Sequence, residues 1–263
     1  MSDLTAAVIL GLVQGLTEFL PVSSTAHLIL VTGALGLDPD KFGLPFDVAL
    51  HLGTALAVLL YFARTWLGLV RDVFARRWRM PLLVIAGTLP AAIAGVLLES
   101  TVEKTLRAPV WIVLGLVAGS IVFVAVERIA ARRRVMSELS VPDAILMGAA
   151  QAIALLPGIS RSGITISAGL LRGLTREEAT RFSFLLATPI ILGAGLKTLL
   201  DARKASELLA TSDVLVIGFI VSFASGLAAV AFLVRFLRTH SLNWFVGYRL
   251  ALAAVVGLTL FVA

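Results

Sequence analysis

Apolar runs long enough to cross a lipid bilayer recur along this chain of 263 residues and settle its solvent. A hydrocarbon core of about 30 Å takes about 20 mostly apolar residues of helix. Six runs meet that need: Phe46–Ala63, Met80–Leu98, Pro109–Val126, Phe182–Leu200, Val214–Val234 and Trp244–Ala263. Hydrophobic residues are 59% of the chain and charged residues 14%, against about 45–50% and about 25% in soluble domains. No soluble globule of this size has an interior large enough to hide so much apolar surface. The expected class is an all-α polytopic membrane protein, with residues 1–263 as one integral-membrane domain.

Two further apolar regions, Leu4–Leu37 and Pro142–Leu171, are each long enough for two helices, but each is broken near its middle. The breaks read Pro21-Val22-Ser23-Ser24-Thr25 and Pro157-Gly158-Ile159-Ser160-Arg161-Ser162-Gly163. Neither resembles a water-exposed connection. Irregular backbone at membrane depth is tolerated only against protein or a water-filled cavity, so both regions are expected to be re-entrant hairpins with tips inside the membrane. Ten complete spans is the competing reading, and the shortness of the tips argues against it.

Loop charge tests the arrangement. Residues 64–79, 128–141, 172–181 and 235–243 hold fourteen Lys and Arg, all Arg; Lys41, Lys104, Arg107, Arg203 and Lys204 are the five bases of the other loops. With the fourteen in the cytoplasm, as the positive-inside rule asks, the spans alternate only if each hairpin returns to the side it entered, and both termini then lie outside. The net charge of +6 is thus a topology signal rather than a nucleic-acid footprint, and no nucleic-acid partner is expected. Each half becomes a hairpin followed by three spans: residues 1–127 form a first repeat and 142–263 a second, inverted one. A sequence echo supports this, since Gln14 through Leu20-Pro21 parallels Gln151 through Leu156-Pro157. Inverted repeats with broken helices place a site near the midplane.

The hairpins carry the polar groups that a membrane makes expensive. Gln14 and Glu18, four apart, share one helix face; Ser24 and His27, three apart, share another. Ser23, Ser24 and Thr25 are suited to cap the helix after the first break, whose start would offer N–H groups and partial positive charge to a phosphate. The second hairpin repeats the device and adds Arg161, whose guanidinium can grip two phosphate oxygens. Gly158 and Gly163 permit close backbone approach. Together they suit phosphate ester or anhydride chemistry: Arg161 holds the charge, Ser24 or water attacks, and Glu18 or His27 moves protons. Singly, each has a plainer reading, with Ser as a helix-packing group, His as a structural hydrogen-bonding residue, and Glu18 as the ion-pair partner of Arg161. The absence of Cys excludes thiol chemistry and thiolate metal sites.

These motifs carry a resemblance. Glu18-Phe19-Leu20-Pro21-Val22-Ser23-Ser24-Thr25-Ala26-His27, with Gln14 four residues earlier, resembles the first signature of the undecaprenyl-diphosphatase family, the UppP/BacA bacitracin-resistance proteins. Leu156-Pro157-Gly158-Ile159-Ser160-Arg161-Ser162-Gly163-Ile164-Thr165 resembles its second. Phe46 to Thr54 and Arg181 to Pro189 also resemble family segments. The resemblance implies a multi-pass enzyme of the bacterial inner membrane, often dimeric, that hydrolyses undecaprenyl diphosphate to the monophosphate and phosphate, recycling a lipid carrier for peptidoglycan synthesis. It assigns the acidic motif to Gln14 and Glu18, the catalytic Ser and His to Ser24 and His27, and diphosphate binding to Arg161. Ser23, Thr25, Gly158, Ser160, Ser162 and Thr165 fall on flanking, substrate-binding positions. It also implies a divalent cation, Mg²⁺ or Ca²⁺, with Glu18 as a ligand. Gln14 departs from a two-carboxylate metal site because it cannot ionise, and Ala26 stands where many members have Gly.

Other intramembrane polar residues read as structural. Asp47 and His51, four apart on one face of the first span, are expected to pair with each other near the outer interface, ahead of a supporting role beside the site; Gln151 is expected to hydrogen-bond the second hairpin, and Arg249 to snorkel to the cytoplasmic interface. A transporter or flippase for a polyprenyl phosphate or small anion is the competing function, because it would share the inverted-repeat architecture. A third reading, a purely structural membrane scaffold, is one that the buried charges argue against.

Overall fold

The computed structural model describes residues 1–38, 40–200 and 212–262. Eleven α-helices account for most of them, in the order Asp3–Phe19 (α1), Ser24–Ala34 (α2), Leu44–Tyr61 (α3), Ala63–Phe74 (α4), Arg79–Lys104 (α5), Pro109–Ile129 (α6), Val141–Ile153 (α7), Arg161–Leu171 (α8), Arg176–Leu200 (α9), Ser212–Phe236 (α10) and Asn243–Val262 (α11). The protein is an all-α, multi-pass membrane protein. Arg79–Leu98, Pro109–Ile129, Arg176–Lys197, Asp213–Phe236 and Asn243–Leu260 are each long and apolar enough to span. Arg203 and Lys204 lie outside the described residues.

The first expected span is modified. Phe46–Tyr61 reaches spanning length only together with Ala63–Phe74, and the two meet at a bend of 75°. Residues 64–79, expected to be a loop, thus contain helix α4. Its Leu67, Val70 and Phe74 form one exposed apolar stripe, while Leu69 is buried and Trp66 packs against the core. A helix with separate protein-facing and exposed apolar sides and flanking Arg64 and Arg71 is suited to lie along the membrane surface.

Both broken regions fold as helical hairpins. Each lays its first helix against a later or earlier span of the other half: α1 packs on α10, and α7 on α5. The closing spans α6 and α11 pack on each other, as do α3 and α9. In lipid, where apolar side chains gain nothing by leaving one hydrocarbon for another, such pairs depend on close backbone approach. Glycine makes it possible in both helices. A Cβ on Gly15 of α1 would stand 2.0 Å from the Ser225 hydroxyl of α10, and one on Gly148 of α7 would stand 2.0 Å from the Gly87 carbonyl of α5. Beneath the first tip, Phe19 meets Phe184 edge-on, with ring centroids 5.2 Å apart.

The four Arg-rich segments meet at one end of the bundle. Arg79 donates to the Leu139 carbonyl at 2.7 Å. Buried Glu127 accepts from Arg132 at 2.8 Å, from Arg176 at 2.6 Å and from the Leu242 N–H at 2.9 Å. Glu177 accepts from Arg238 at 2.7 Å. Asp143, in a capping box with Ser140 at the start of α7, accepts from Arg134 at 3.0 Å and also from Arg172. At the opposite end Lys41 pairs with Asp3 at 2.8 Å and Arg107 with Asp47 at 3.1 Å.

Asp143 gives this end a defined pH response. Burial alone would push its carboxyl up, but the Ser140 N–H and the two guanidiniums outweigh that and hold it well below the usual carboxylate range. A depressed folded-state pKa gives stability that is complete above the unfolded value of about 3.9. That stability is lost as pH falls through the folded value. Asp143→Asn should therefore lower the melting temperature in detergent by an amount that stays constant from about pH 5 to about pH 8. A difference that changes across that window would show that another group is responsible.

Candidate active site

Two breaks in the backbone build the site. The first runs from Leu20 to Ser23, where Pro21 has no N–H to give and Ser23 sits at φ 76° before α2 begins at Ser24. In the second, Gly158 has φ 94° and Ser160 φ 75°, and α8 begins at Arg161. A left-handed conformation is costly for serine, and the same cost is accepted at the residue before each second helix. The Ser160 hydroxyl caps α8 by accepting from the Gly163 N–H at 3.4 Å. Ser23, expected to cap α2, makes no such bond. Its hydroxyl instead accepts from the Gly158 N–H at 3.0 Å, on the other tip. Ser162 returns the link by donating to the Leu20 carbonyl at 3.2 Å.

Glu18 is the hub between the tips. One carboxylate oxygen accepts from Arg161 of the facing hairpin. The other accepts from the Ser24 hydroxyl at 2.5 Å and from the Gln14 amide at 3.0 Å. His51 Nε2 lies 3.5 Å from that same oxygen. The structure thus brings Gln14, Glu18, Ser24 and Arg161 together, with Ser23, Gly158, Ser160 and Ser162 making up the joined tips around them. Arg161 and Glu18 are 18% and 3% exposed, so the guanidinium is the more accessible partner.

Three expected residues stand apart. Thr25 is exposed and is turned about 100° from Ser24 around the start of α2. Thr165 is fully buried in α8, and its hydroxyl has no partner among the described residues. His27 turns away from Glu18. Its Nδ1 lies 2.8 Å from the Ser23 carbonyl, which can only accept, so in the neutral ring Nδ1–H donates there and Nε2 accepts from the Tyr248 hydroxyl at 2.6 Å.

Other readings of the sequence are corrected. Asp47 and His51 do not pair through their side chains. The Asp47 carboxylate pairs with Arg107, and His51 Nδ1 donates to the Asp47 carbonyl at 2.7 Å, which aims the opposite nitrogen at Glu18. Gln151 is buried, but neither of its amide atoms has a partner among the described residues. Arg249 does not snorkel. It is 0% exposed, and its guanidinium donates into both tips, to Pro21 O at 3.0 Å and Gly158 O at 2.8 Å. His51 thus takes the supporting place beside the site that the sequence reading ranks second for it, whereas Tyr248 and Arg249 are neighbours of the site that sequence reasoning missed. The only signal for the last two is an Arg, with a Tyr before it, in an otherwise apolar span.

Known proteins match nearly the whole chain. The model of the family described as bacitracin resistance protein BacA matches residues 7–255. The undecaprenyl-diphosphatase of Rubrobacter xylanophilus is 45% identical over 97% of this chain and 98% of its own length. That of Thermodesulfovibrio yellowstonii is 41% identical over 99% of each chain. That of Corynebacterium diphtheriae is 43% identical over 95% of this chain and 91% of its own.

Proposed function

This chain belongs to the family of the bacitracin resistance protein BacA, and on that premise we propose that it is an integral-membrane phosphatase hydrolysing undecaprenyl diphosphate to undecaprenyl phosphate and inorganic phosphate. The observation that carries the reading is the Ser24 hydroxyl donating to Glu18 at 2.5 Å, beside a guanidinium from the opposite hairpin. Without substrate, Arg161 and Glu18 neutralise each other. An arriving diphosphate offers Arg161 a bidentate partner and releases Glu18 to act as base. Ser24 Oγ then attacks the terminal phosphorus, its proton passes to Glu18, and the P–O bond to the lipid phosphate breaks. Water then attacks the phosphoserine phosphorus, the P–Oγ bond breaks as Glu18 returns its proton to Ser24, and inorganic phosphate leaves with the hydroxyl of the water, whose other proton passes to Glu18 and on to solvent. The helix starts at Ser24 and Arg161 stabilise the phosphoryl charge. Water as the direct nucleophile, with Ser24 only holding phosphate, is the second reading, and it predicts that Ser24→Ala changes KM more than kcat.

A transporter would use Arg161 and the helix starts but has no need of Ser24 held against a carboxylate. Phosphate release from the lipid by purified protein in detergent, where no second compartment exists, decides between the classes. Turnover supports the phosphatase; tight binding without release supports transport.

A divalent cation, Mg²⁺ or Ca²⁺, belongs to the same proposal. Among the described residues no three His, Asp or Glu side chains are grouped to hold one. A cage made wholly by the protein is not needed, because Mg²⁺ commonly binds through one or two carboxylates plus substrate phosphates. Glu18 supplies the carboxylate, and the Gln14 carbonyl oxygen, buried without a hydrogen bond, is a second oxygen donor beside it. When bound there, the ion would neutralise the diphosphate and polarise its P–O bonds. Chelation should abolish turnover, and Gln14→Glu, by adding charge at that donor, should lower the Mg²⁺ concentration for half-maximal activity by about tenfold. An unchanged Mg²⁺ titration would remove Gln14 from the ion's surroundings.

Placement in the bacterial inner membrane, with both termini outside and the Arg-rich end in the cytoplasm, completes the reading. The gathering of four basic segments at one end supports it. The exchanged contacts α1 with α10 and α7 with α5 support the inverted repeat of residues 1–127 and 142–263. A homodimer is included on the family resemblance. In this Cys-free chain, Ser2→Cys should react with an impermeant thiol reagent outside intact cells and Ala131→Cys should not. The opposite result reverses the orientation.

A further inference from the structure

We propose that Arg249 is the positioning residue that sets the two hairpin tips in register and turns their carbonyl oxygens away from the diphosphate. This rests on the phosphatase reading of the site and extends it to a residue 14 positions from the end of the chain. Beyond Pro21 O and Gly158 O, its guanidinium lies within hydrogen-bond reach of Ile159 O at 3.2 Å, Leu116 O at 3.1 Å and Gly115 O at 3.3 Å. Its Nε donates to the Ser120 hydroxyl at 3.1 Å, and its carbon lies 4.7 Å from the centre of the Phe123 ring. One side chain of α11 thus joins the first tip, the second tip and α6.

Two physical consequences follow. The first concerns direction. Each break interrupts a helix and leaves carbonyls with no partner from the following turn. An oxygen pointing at a bound diphosphate would repel it. Arg249 takes up Pro21 O, Gly158 O and Ile159 O, and because a trans peptide is planar, its N–H points opposite to its C=O. Fixing these oxygens therefore fixes three peptide planes within the breaks that lead into α2 and α8, the helices that begin with Ser24 and Arg161. The second concerns charge. Every acceptor Arg249 has among the described residues is a neutral oxygen, so no carboxylate cancels its charge. It is a permanent cation beneath the tips, whereas Arg161 is paired with Glu18 until substrate arrives. Lysine could not replace it, because an ammonium cannot span acceptors on three elements as a planar fork does.

The surroundings are shaped to this guanidinium. A Cβ on Gly119 would meet Arg249 Nη2 at 2.3 Å and Ile159 O at 2.7 Å. Gly119→Ala should displace the fork without removing its charge, and gives a second route to the same test.

The experiment uses the full-length protein in detergent, with inorganic pyrophosphate as a competing anion. Arg249→Lys and Gly119→Ala are compared with the unaltered protein by kcat, KM, the inhibition constant of pyrophosphate and melting temperature, with kinetics run well below each melting point. Both variants should weaken pyrophosphate inhibition by at least about tenfold and lower kcat by about a hundredfold. A part played only in stability predicts lower melting temperatures with inhibition constants and kcat unchanged, and that result overturns the proposal. If Arg249→Lys does not fold, Gly119→Ala and Ser120→Ala, which removes the Nε acceptor, decide by the same criterion. Unaltered protein that neither hydrolyses the lipid diphosphate nor responds to pyrophosphate would overturn the phosphatase reading itself. Active unaltered protein with unaffected variants overturns only the assignment of Arg249.

Discussion

Arg161→Lys should lower kcat/KM by about 10²–10³-fold, the usual loss when a preorganised donor to a developing phosphoryl charge is removed, and Arg161→Ala should leave no measurable turnover. Lysine keeps the charge but not the two-point grip. Glu18→Gln should be similarly inactive, although it keeps size and hydrogen-bonding capacity, because an amide cannot take the Ser24 proton. These single changes alone do not establish chemistry, since Glu18 and Arg161 are ion-paired and only partly exposed. Breaking such a pair leaves a stranded charge that costs about 3–5 kcal/mol when fully buried. The double variant Glu18→Gln with Arg161→Gln removes both charges and that penalty. It should recover most of the stability lost by either single variant, measured as melting temperature in detergent, and remain inactive. Recovery of phosphatase activity along with stability would mean the pair only neutralises itself and would remove both residues from the mechanism.

The features legible in the sequence are those encoded by local pattern. Apolar length gave the spans, and a proline with hydroxyls inside each long apolar run gave the breaks, because few other arrangements tolerate them at membrane depth. The convergence of Glu18, Ser24 and Arg161 followed from placing two tips face to face. Thr25 was grouped with Ser23 and Ser24 because they are adjacent, yet a helix start sends neighbours to different sides. Helix α4 was hidden by its arginines: Leu67, Val70 and Phe74 keep a helical stripe, but the charge between them reads as a loop. The partners of His27 and Arg249 are hydroxyls 221 and 129 residues away and backbone carbonyls. No side-chain pattern announces a carbonyl acceptor, since every residue has one. Intramembrane Arg249 therefore signalled importance without indicating what it holds.

Ser24→Ala should reduce kcat by about 10³-fold or more with little change in KM, and His27→Asn should cost far less. The difference is expected from geometry. Ser24 Oγ lies 2.5 Å from Glu18, so the same oxygen can lose its proton and attack. In His27 both ring nitrogens are already occupied, one by the Ser23 carbonyl and one by the Tyr248 hydroxyl. Its loss would disturb the start of α2 rather than remove a proton carrier. Tyr248→Phe should then reproduce most of the His27→Asn effect, and combining the two should add little, because members of one hydrogen-bonded unit are not independent. If water attacks directly and Ser24 only binds phosphate, Ser24→Ala should raise KM and keep kcat within about tenfold. If His27 instead carries the proton, His27→Asn should fall as far as Ser24→Ala while Tyr248→Phe remains active. Steady-state kinetics of these four variants on the long-chain diphosphate would therefore assign the nucleophile and the proton acceptor together, and a His27 loss equal to that of Ser24 would overturn Glu18 as the sole base.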